Sequence, residues 1–349
     1  MKKFILLILI IIFPLNVFAD SGSSTIVMDN DSGRIIYENN INDKRLIASI
    51  TKIMTCILTI ENADLNKKIV VGEEILDMYG TNIYIQVGEE ISIKDLLYGL
   101  MLRSGNDAAI VLSNNVFDNE NEFIKQMNKK AKEIGMKNTT FNNSHGLDED
   151  TKNYSTAYDM AILARYSYKN KIFKKIISTK RYIARTNIKT YEWYNRMSLI
   201  NSYKYCIGGK NGYTPKAGKT LVSYASKNNL NLIIVSLDDS DIYINHKNLY
   251  NKFFNNYSNY TILDKNKYIV DSSIIKKKMY LKQSFIYPLK EDEIKRVSTI
   301  VQIYNDNTGK IIIKLSGNKI GEVRLYSKNK KEDKNIFHYL KKLFIWKSI

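Results

Sequence analysis

The sequence predicts an α/β (α+β) chain: an antiparallel sheet with flanking helices and a helical subregion, then a small all-β domain and a C-terminal amphipathic helix. Three observations lead there. Residues 24–256 open on a strand-like hairpin and return to strand-like runs at 208–237, with helix-period apolar patterns between them. Residues 257–327 turn to short β-rich runs, such as VSTIVQIY from Val297 and KIIIKL from Lys310. In residues 328–349 a charged linker precedes Ile336, Leu340, Leu343 and Phe344, which fall on one helical face among Lys341, Lys342 and Lys347, with Trp346 near the end.

In chain order, Met1, Lys2 and Lys3 precede an apolar run from Phe4 to Phe13, and Val17, Phe18 and Ala19 precede Asp20. A basic start, a short apolar stretch and a small residue at the cut site predict a secretory signal over 1–19 and an exported mature chain. The run is short for a spanning helix. A hairpin follows: TIVM at 25–28, a turn NDSG at 30–33, and RIIY at 34–37. Ile50, Ile53, Met54, Ile57 and Leu58 make a one-sided helical stripe, as do Leu96, Leu97, Leu100 and Met101. Phe123, Ile124, Met127, Ala131 and Ile134 mark another helix, stopped by Gly135. TLVSYA from Thr220 and NLIIVSL from Asn231 read as consecutive antiparallel strands. Leu249, Tyr250, Phe253 and Phe254 place a helix against that sheet. The divisions expected are a signal (1–19), a main domain (20–256), a small all-β domain (257–327) and a basic linker with a membrane-surface helix (328–349).

Composition narrows the partners. The net charge is +18, which draws an exported protein to anionic lipids and wall polymers. With a signal sequence and no basic-aromatic binding module, nucleic acid is excluded as a partner. The terminal helix, apolar on one face and lysine-rich, predicts contact with an anionic membrane surface. His145, His246 and His338 are scattered without ligand spacing, so no metal and no cofactor are expected. Cys56 and Cys206 are read as two buried free thiols, with a disulfide as the alternative.

Three short segments carry chemistry. Ser49 and Lys52 are three residues apart at the start of the first helix, so a hydroxyl and an amine share one face. A serine becomes nucleophilic when such a base takes its proton. The spacing recurs at Ser273/Lys276, Ser316/Lys319 and Ser327/Lys330, but in strand-like or tail sequence where i and i+3 point apart. Ser104-Gly105-Asn106 follows the second helical pattern, where a glycine turn would present a hydroxyl and an amide together. Ser316-Gly317-Asn318 repeats the tripeptide between two β-rich runs and reads as an ordinary turn. Lys210, Asn211, Gly212 and Tyr213 lie in a glycine-flanked strand to which a peptide could pair while Lys210 meets its carboxylate. A phosphate loop is disfavoured there, because a strand and not a helix follows.

Taken in order, SITK, SGN and KNG resemble the SxxK, SxN and KTG set of the penicillin-recognising serine enzymes, an established signature of that class. Flanking sequence narrows the resemblance to the low-molecular-mass D-alanyl-D-alanine carboxypeptidases: LIASITKIMT, IQVGEEISIKDLLYGLMLRSGNDAA, FIKQMNKKAKEIGMKNTTFNNSHGLDE, NYSTAYDMAILARY and KNGYTPKAGKTLVSYAS. The likeness spans roughly Ser24 to Leu237. It implies a penicillin-binding transpeptidase-like fold and a serine peptidase that removes the terminal D-alanine from peptidoglycan stem peptides. β-Lactams would be inhibitors that acylate the same serine.

The resemblance assigns the nucleophile to Ser49 and the general base to Lys52. It gives a proton-relaying hydroxyl to Ser104 and to Asn106 an amide that holds lysine and substrate. It puts carboxylate binding on Lys210, Asn211 and Gly212, and oxyanion donors on the backbone N–H groups of Ser49 and Tyr213. The family usually has threonine where Asn211 stands, which bears on substrate preference and rate more than on reaction type. Ile47 stands where proline is usual. Two rivals remain. Glu149 and Asn153 have the Glu-x-x-x-Asn spacing of a deacylating β-lactamase loop. A wall-binding protein of low turnover, hinted at by Asn211, is the other.

Overall fold

The computed structural model describes residues 22–267, 269–272, 277–304, 308–327 and 343–347. The expected signal segment lies outside them. Five antiparallel strands form the central sheet: β1 (Ser24–Asp29), β2 (Ile35–Asn39), β3 (Cys206–Thr214), β4 (Gly218–Lys227) and β5 (Leu230–Leu237). Their spatial order is β2-β1-β5-β4-β3, so β3 is an edge. The first and last parts of this unit meet in one sheet, with Ile26 opposite Val235 and Val222 opposite Lys210.

Both faces of the sheet are covered. Strand residues alternate between faces. Ile26, Val222, Tyr224, Ile233 and Val235 join the larger core, while Val27, Leu221, Leu232 and Ile234 join the smaller one. Helix α1 (Lys52–Asn62) runs through the larger core, with every residue from Lys52 to Thr59 buried. Around it pack α2 (Asn106–Val116), α3 (Glu120–Ile134) and α4 (Ala157–Tyr168). Asn119 caps the start of α3, and Gly135 ends it in the left-handed conformation at φ 94°, as its sequence position predicts. On the other face α5 (Ile242–Asn256) lays Leu249, Tyr250, Phe253 and Phe254 against the sheet, as their spacing predicts.

Beyond α5 the described chain is β-rich. Strands Ile269–Ser272, Lys277–Leu281, Asn318–Ser327, Thr308–Leu315, Val297–Ile303 and Leu343–Lys347 lie in that order in one sheet. Its core is Leu263, Met279, Leu281, Val301, Ile303, Ile311, Ile313, Val323 and Leu325. Arg34, from the β1–β2 turn, ties this unit to the first. Its guanidinium donates to Glu293 at 2.6 and 2.9 Å and sits over the rings of Tyr257 and Tyr287.

The expected amphipathic terminal helix is corrected here. Leu343–Lys347 is a strand, paired antiparallel with Val297–Ile303 in a register that puts Trp346 opposite Ile300. Ile336 and Leu340 lie outside the described residues. Val297–Ile303 has one flank filled by Thr308–Leu315, and its other flank offers unpaired backbone groups. The run Leu-Phe-Ile-Trp, rich in β-formers, satisfies them. Leu343 and Phe344, two of the four residues of the expected apolar face, thus lie in a strand, and membrane contact through that face is not supported.

Candidate active site

Ser49 lies in a one-turn 3₁₀ segment, Ala48–Thr51, that runs straight into α1. In such a turn residues i and i+3 eclipse each other. The Lys52 side-chain nitrogen therefore reaches the Ser49 hydroxyl at 3.1 Å. Lys52 is fully buried, with Nζ also 2.7 Å from Asn106 Oδ1 and 2.5 Å from the His145 carbonyl. Burial drives its pKa far below the ordinary lysine value, the charge of Lys210 pushes the same way, and Asp107 opposes both.

Ser104 ends a π-helical turn, Gly99–Arg103, in the left-handed conformation at φ 67°. That bend, followed by Gly105, lets Asn106 open α2 with its side chain turned into the interior. The Asn106 amide is used at both ends: Oδ1 accepts from Lys52 and Nδ2 donates to the Tyr79 carbonyl at 2.8 Å. Lys210, on edge strand β3, is also buried and donates to Ser104 Oγ at 3.0 Å and to the Asn211 carbonyl at 2.5 Å. Burial lowers its pKa to about 7, helped by the positive charge of Arg196.

Gly212 is where β3 passes Ser49. A methyl group there would stand 2.6 Å from the Ser49 backbone nitrogen, so only glycine lets the strand approach this closely. Tyr213, next along, is exposed and pairs across from Lys219. Asn211 is half-buried opposite Leu221. Ile47 has φ −112°, a value a proline ring does not reach, so the residue that replaces the usual proline adopts its own backbone geometry. The structure thus brings Ser49, Lys52, Ser104, Asn106, Lys210 and Gly212 together.

Several residues that serve this arrangement were not singled out from the sequence. The Asp107 carboxylate accepts backbone N–H groups from Ile83 at 3.0 Å, Tyr84 at 2.7 Å and Ala108 at 2.8 Å. It holds the segment whose Tyr79 carbonyl fixes Asn106. His145 contributes its main-chain carbonyl, while its half-buried ring accepts from the Leu147 N–H and is held neutral, with a pKa lowered to about 3 by burial and the nearby Lys52. Thr214 donates to Asp148 at 2.5 Å and ties the end of β3 to the loop that carries His145. The β-lactamase-type pair is placed differently. Asn153 is spent on Thr51, Asn142 and Asn143, and Glu149 lies beside the Tyr79 hydroxyl. Of the other serine–lysine pairs, Ser316/Lys319 has no such setting, since Lys319 is exposed and bridges Glu322, while Ser273, Lys276 and Lys330 lie outside the described residues. Cys56 and Cys206 are both free, the first buried and the second partly so.

A buried lysine against a serine at the head of a core helix, with a second serine, an amide and a strand lysine closing the ring, is an arrangement suited to serine acyl transfer with an amine as base. That class and the sequence agree. The chain belongs to the D-alanyl-D-alanine carboxypeptidase family, peptidase S11, which it matches over residues 17–241. It is 38% identical over 223 residues to the D-alanyl-D-alanine carboxypeptidase DacF of Bacillus subtilis, a stretch covering 62% of this chain and 57% of that protein. It is 33% identical over 224 residues to DacC of Escherichia coli, covering 61% and 55%. The chain thus spans little more than half the length of these relatives. Among solved structures, a Streptomyces K15 DD-transpeptidase variant superposes with TM-score 0.61 at 30% identity, covering 66% of this chain and 95% of that one. The carboxypeptidase DacD of Francisella tularensis shares the fold over 94% of this chain and 96% of its own, with TM-score 0.69.

Proposed function

We propose that the protein is a serine-type D-Ala-D-Ala carboxypeptidase that trims the terminal D-alanine from peptidoglycan stem peptides in the cell envelope, and a target of β-lactams. The observation that carries this is the environment of Lys52. Burial disfavours the protonated form of this amine, and the neutral form has two N–H bonds and one lone pair. The carbonyl oxygens of Asn106 and His145 can only accept, so they take the two N–H bonds. The lone pair is left facing the Ser49 hydroxyl, as a general base requires.

The reaction follows from the same contacts. Ser49 Oγ attacks the carbonyl of the penultimate residue while its proton passes to Lys52. The backbone N–H groups of Ser49 and Tyr213 receive the oxyanion. The C–N bond then breaks, and the proton returns through Ser104 to the departing amine of D-alanine. Lys210, protonated in part near neutrality, attracts the substrate's terminal carboxylate, beside Asn211 on the edge of β3. Water hydrolyses the acyl-enzyme and restores Ser49. A β-lactam keeps its leaving group tethered, so its ester on Ser49 persists. The signal-like segment at 1–19 and the charge of +18 support export to the envelope, at the outer face of the cytoplasmic membrane.

The test is to incubate the mature chain with a synthetic stem pentapeptide ending in D-Ala-D-Ala and to follow free D-alanine and protein mass. Release of D-alanine with a transient adduct on Ser49 is expected. An adduct that never turns over supports a wall-binding protein instead. Fast hydrolysis of penicillin without D-alanine release supports a β-lactamase.

A further inference from the structure

The turn that delivers Ser49 is strained. Ala48 has φ 47°, a left-handed conformation that a residue with a Cβ seldom adopts. Such conformations persist where the surroundings impose them. Here the surroundings converge from two sides. Gly146, in the loop that supplies the His145 carbonyl, is so close that a methyl group on it would collide with the Ala48 carbonyl and lie 3.0 Å from Ser49 N. On the other side, Thr220 of β4 is fully buried and donates its hydroxyl to the Ile47 carbonyl at 3.1 Å. Thr220 stands directly opposite Gly212 in the β3–β4 register. A methyl group on Gly212 would meet Ser49 N at 2.6 Å, Thr220 Oγ1 at 2.7 Å and Ala48 Cβ at 3.1 Å. The strained residue, the N–H of the nucleophile, the glycine of the edge strand and the threonine hydroxyl thus form one tight cluster.

We propose that Thr220 is a positioning residue for acylation: by holding the Ile47 carbonyl it keeps the left-handed Ala48 turn closed and the Ser49 N–H aimed along Gly212. The proposal rests on the carboxypeptidase reading above. Its logic is geometric. The direction of the Ser49 N–H is set by the plane of the peptide between residues 48 and 49. If Ala48 relaxes to the right-handed region, that plane turns and carries the N–H away from an oxyanion forming beside Gly212. The Thr220 hydroxyl bonds to the Ile47 carbonyl and is not among the hydrogen-bond partners of Lys52 or Lys210. Its loss therefore leaves the base and the carboxylate site in place and reduces only stabilisation that appears in the transition state.

The experiment uses the full mature chain and its Thr220→Val, Thr220→Ala and Thr220→Ser variants, with Ser49→Ala alongside. Acylation by a fluorescent penicillin is followed as a function of its concentration and of pH, and thermal melting is recorded. Thr220→Val keeps the bulk and β-branching and removes the donor. Its limiting acylation rate should fall by about tenfold or more, as displacing an oxyanion donor predicts. Its pre-covalent dissociation constant should stay within about twofold of the wild type and its pH profile should keep its shape, since only transition-state binding is lost. Thr220→Ser and Thr220→Ala differ only by the hydroxyl. The serine variant should recover most of the rate, and the alanine variant should not. Thr220→Val acylating at the wild-type rate, or Thr220→Ser no faster than Thr220→Ala, overturns the proposal. So does a failure of both hydroxyl-free variants to fold while Thr220→Ser folds, because Thr220 is then a folding determinant. A wild-type protein that takes no label at Ser49 overturns the carboxypeptidase reading itself, and this inference with it.

Discussion

Residues 316–319 and the active site contain the same words. Ser316-Gly317-Asn318 repeats Ser104-Gly105-Asn106, and Ser316 with Lys319 repeats the spacing of Ser49 and Lys52. Even the local backbone agrees, since Ser104 and Ser316 both take positive φ, at 67° and 49°. The difference lies in what surrounds them. Ser316 and Gly317 turn one strand of the small sheet into the next, with the Ser316 N–H bonded to the Arg296 carbonyl. Lys319 stands in solvent beside Glu322. Around Ser104, a π-helical turn, a buried edge strand and the head of a core helix bring two buried lysines to its hydroxyl and to the neighbouring amide. A motif of this kind becomes chemistry through burial, which strips water and charge from an amine, and not through spacing.

The comparison breaks most sharply at the serines. Ser49→Ala should abolish covalent labelling by a fluorescent penicillin, whereas Ser316→Ala should label like the wild type. Label that survives Ser49→Ala would remove the nucleophile assignment. The lysines come next. Lys52→Arg should fold yet lose at least roughly a hundredfold in acylation rate, because a guanidinium stays protonated at any working pH and cannot act as the base. Lys319→Arg should change nothing measurable in the same assay.

A third contrast is pH. Lys210 is held at about 7, below the ordinary lysine value, so its positive charge is present below that pH and fades above it. Binding of a substrate with a free terminal carboxylate should therefore weaken as pH rises, by up to about tenfold per unit once Lys210 is mostly neutral. On the proposed mechanism the acidic limb of turnover should follow Lys52, which acts as base only once deprotonated and whose pKa burial lowers. Measuring KM from pH 6 to 9 for a peptide acid and its amide separates the effects. The amide should lack the alkaline rise in KM. A rise of equal size for both would show that Lys210 does not read the carboxylate. A smaller effect is expected at Asn211. Asn211→Thr restores the family's usual residue and should change the barrier to turnover by no more than about 2 kcal/mol, since one hydrogen bond to carboxylate replaces another. An inert wild type rescued by threonine would favour the low-turnover alternative.

Much of the side-chain content of the site was legible, because hydroxyl, amine and amide groups announce themselves by residue type and spacing. The main-chain acceptors were not. The carbonyls of His145 and Tyr79 complete the cradle of Lys52 and Asn106, yet any residue owns a carbonyl, and only the path of the chain decides where it points. Asp107 was overlooked for a related reason: its partners are backbone N–H groups at 83–85, some two dozen residues upstream. In the fold, the hairpin at 24–39, the helix ended by Gly135 and the strands at 218–237 follow from periodicity and turn residues. The tail did not. Leu-Phe-Ile-Trp fits helix and strand periods equally over so short a run, and the strand edge that selects between them lies at 297–303, about forty residues earlier.

The smallest expected effect tests the exposed copy directly. Lys319 bridges Glu322 at 2.9 Å, with Lys310 sharing the same carboxylate at 3.3 Å, and the side chains of Lys319 and Glu322 are about half exposed. Water screens such a pair, and ordering two long side chains offsets most of the attraction. Lys310 remains to neutralise Glu322 if Lys319 is removed. Lys319→Met should therefore alter unfolding free energy by no more than about 0.5 kcal/mol, read as a shift of the urea midpoint at constant slope. Penicillin labelling should be unchanged. The equivalent change at the other copy, Lys52→Met, removes a buried amine that three oxygen atoms surround, and it should abolish acylation while leaving a folded protein. If Lys319→Met costs several kcal/mol or slows labelling, the small sheet is coupled to the active site, and burial alone does not separate the two copies.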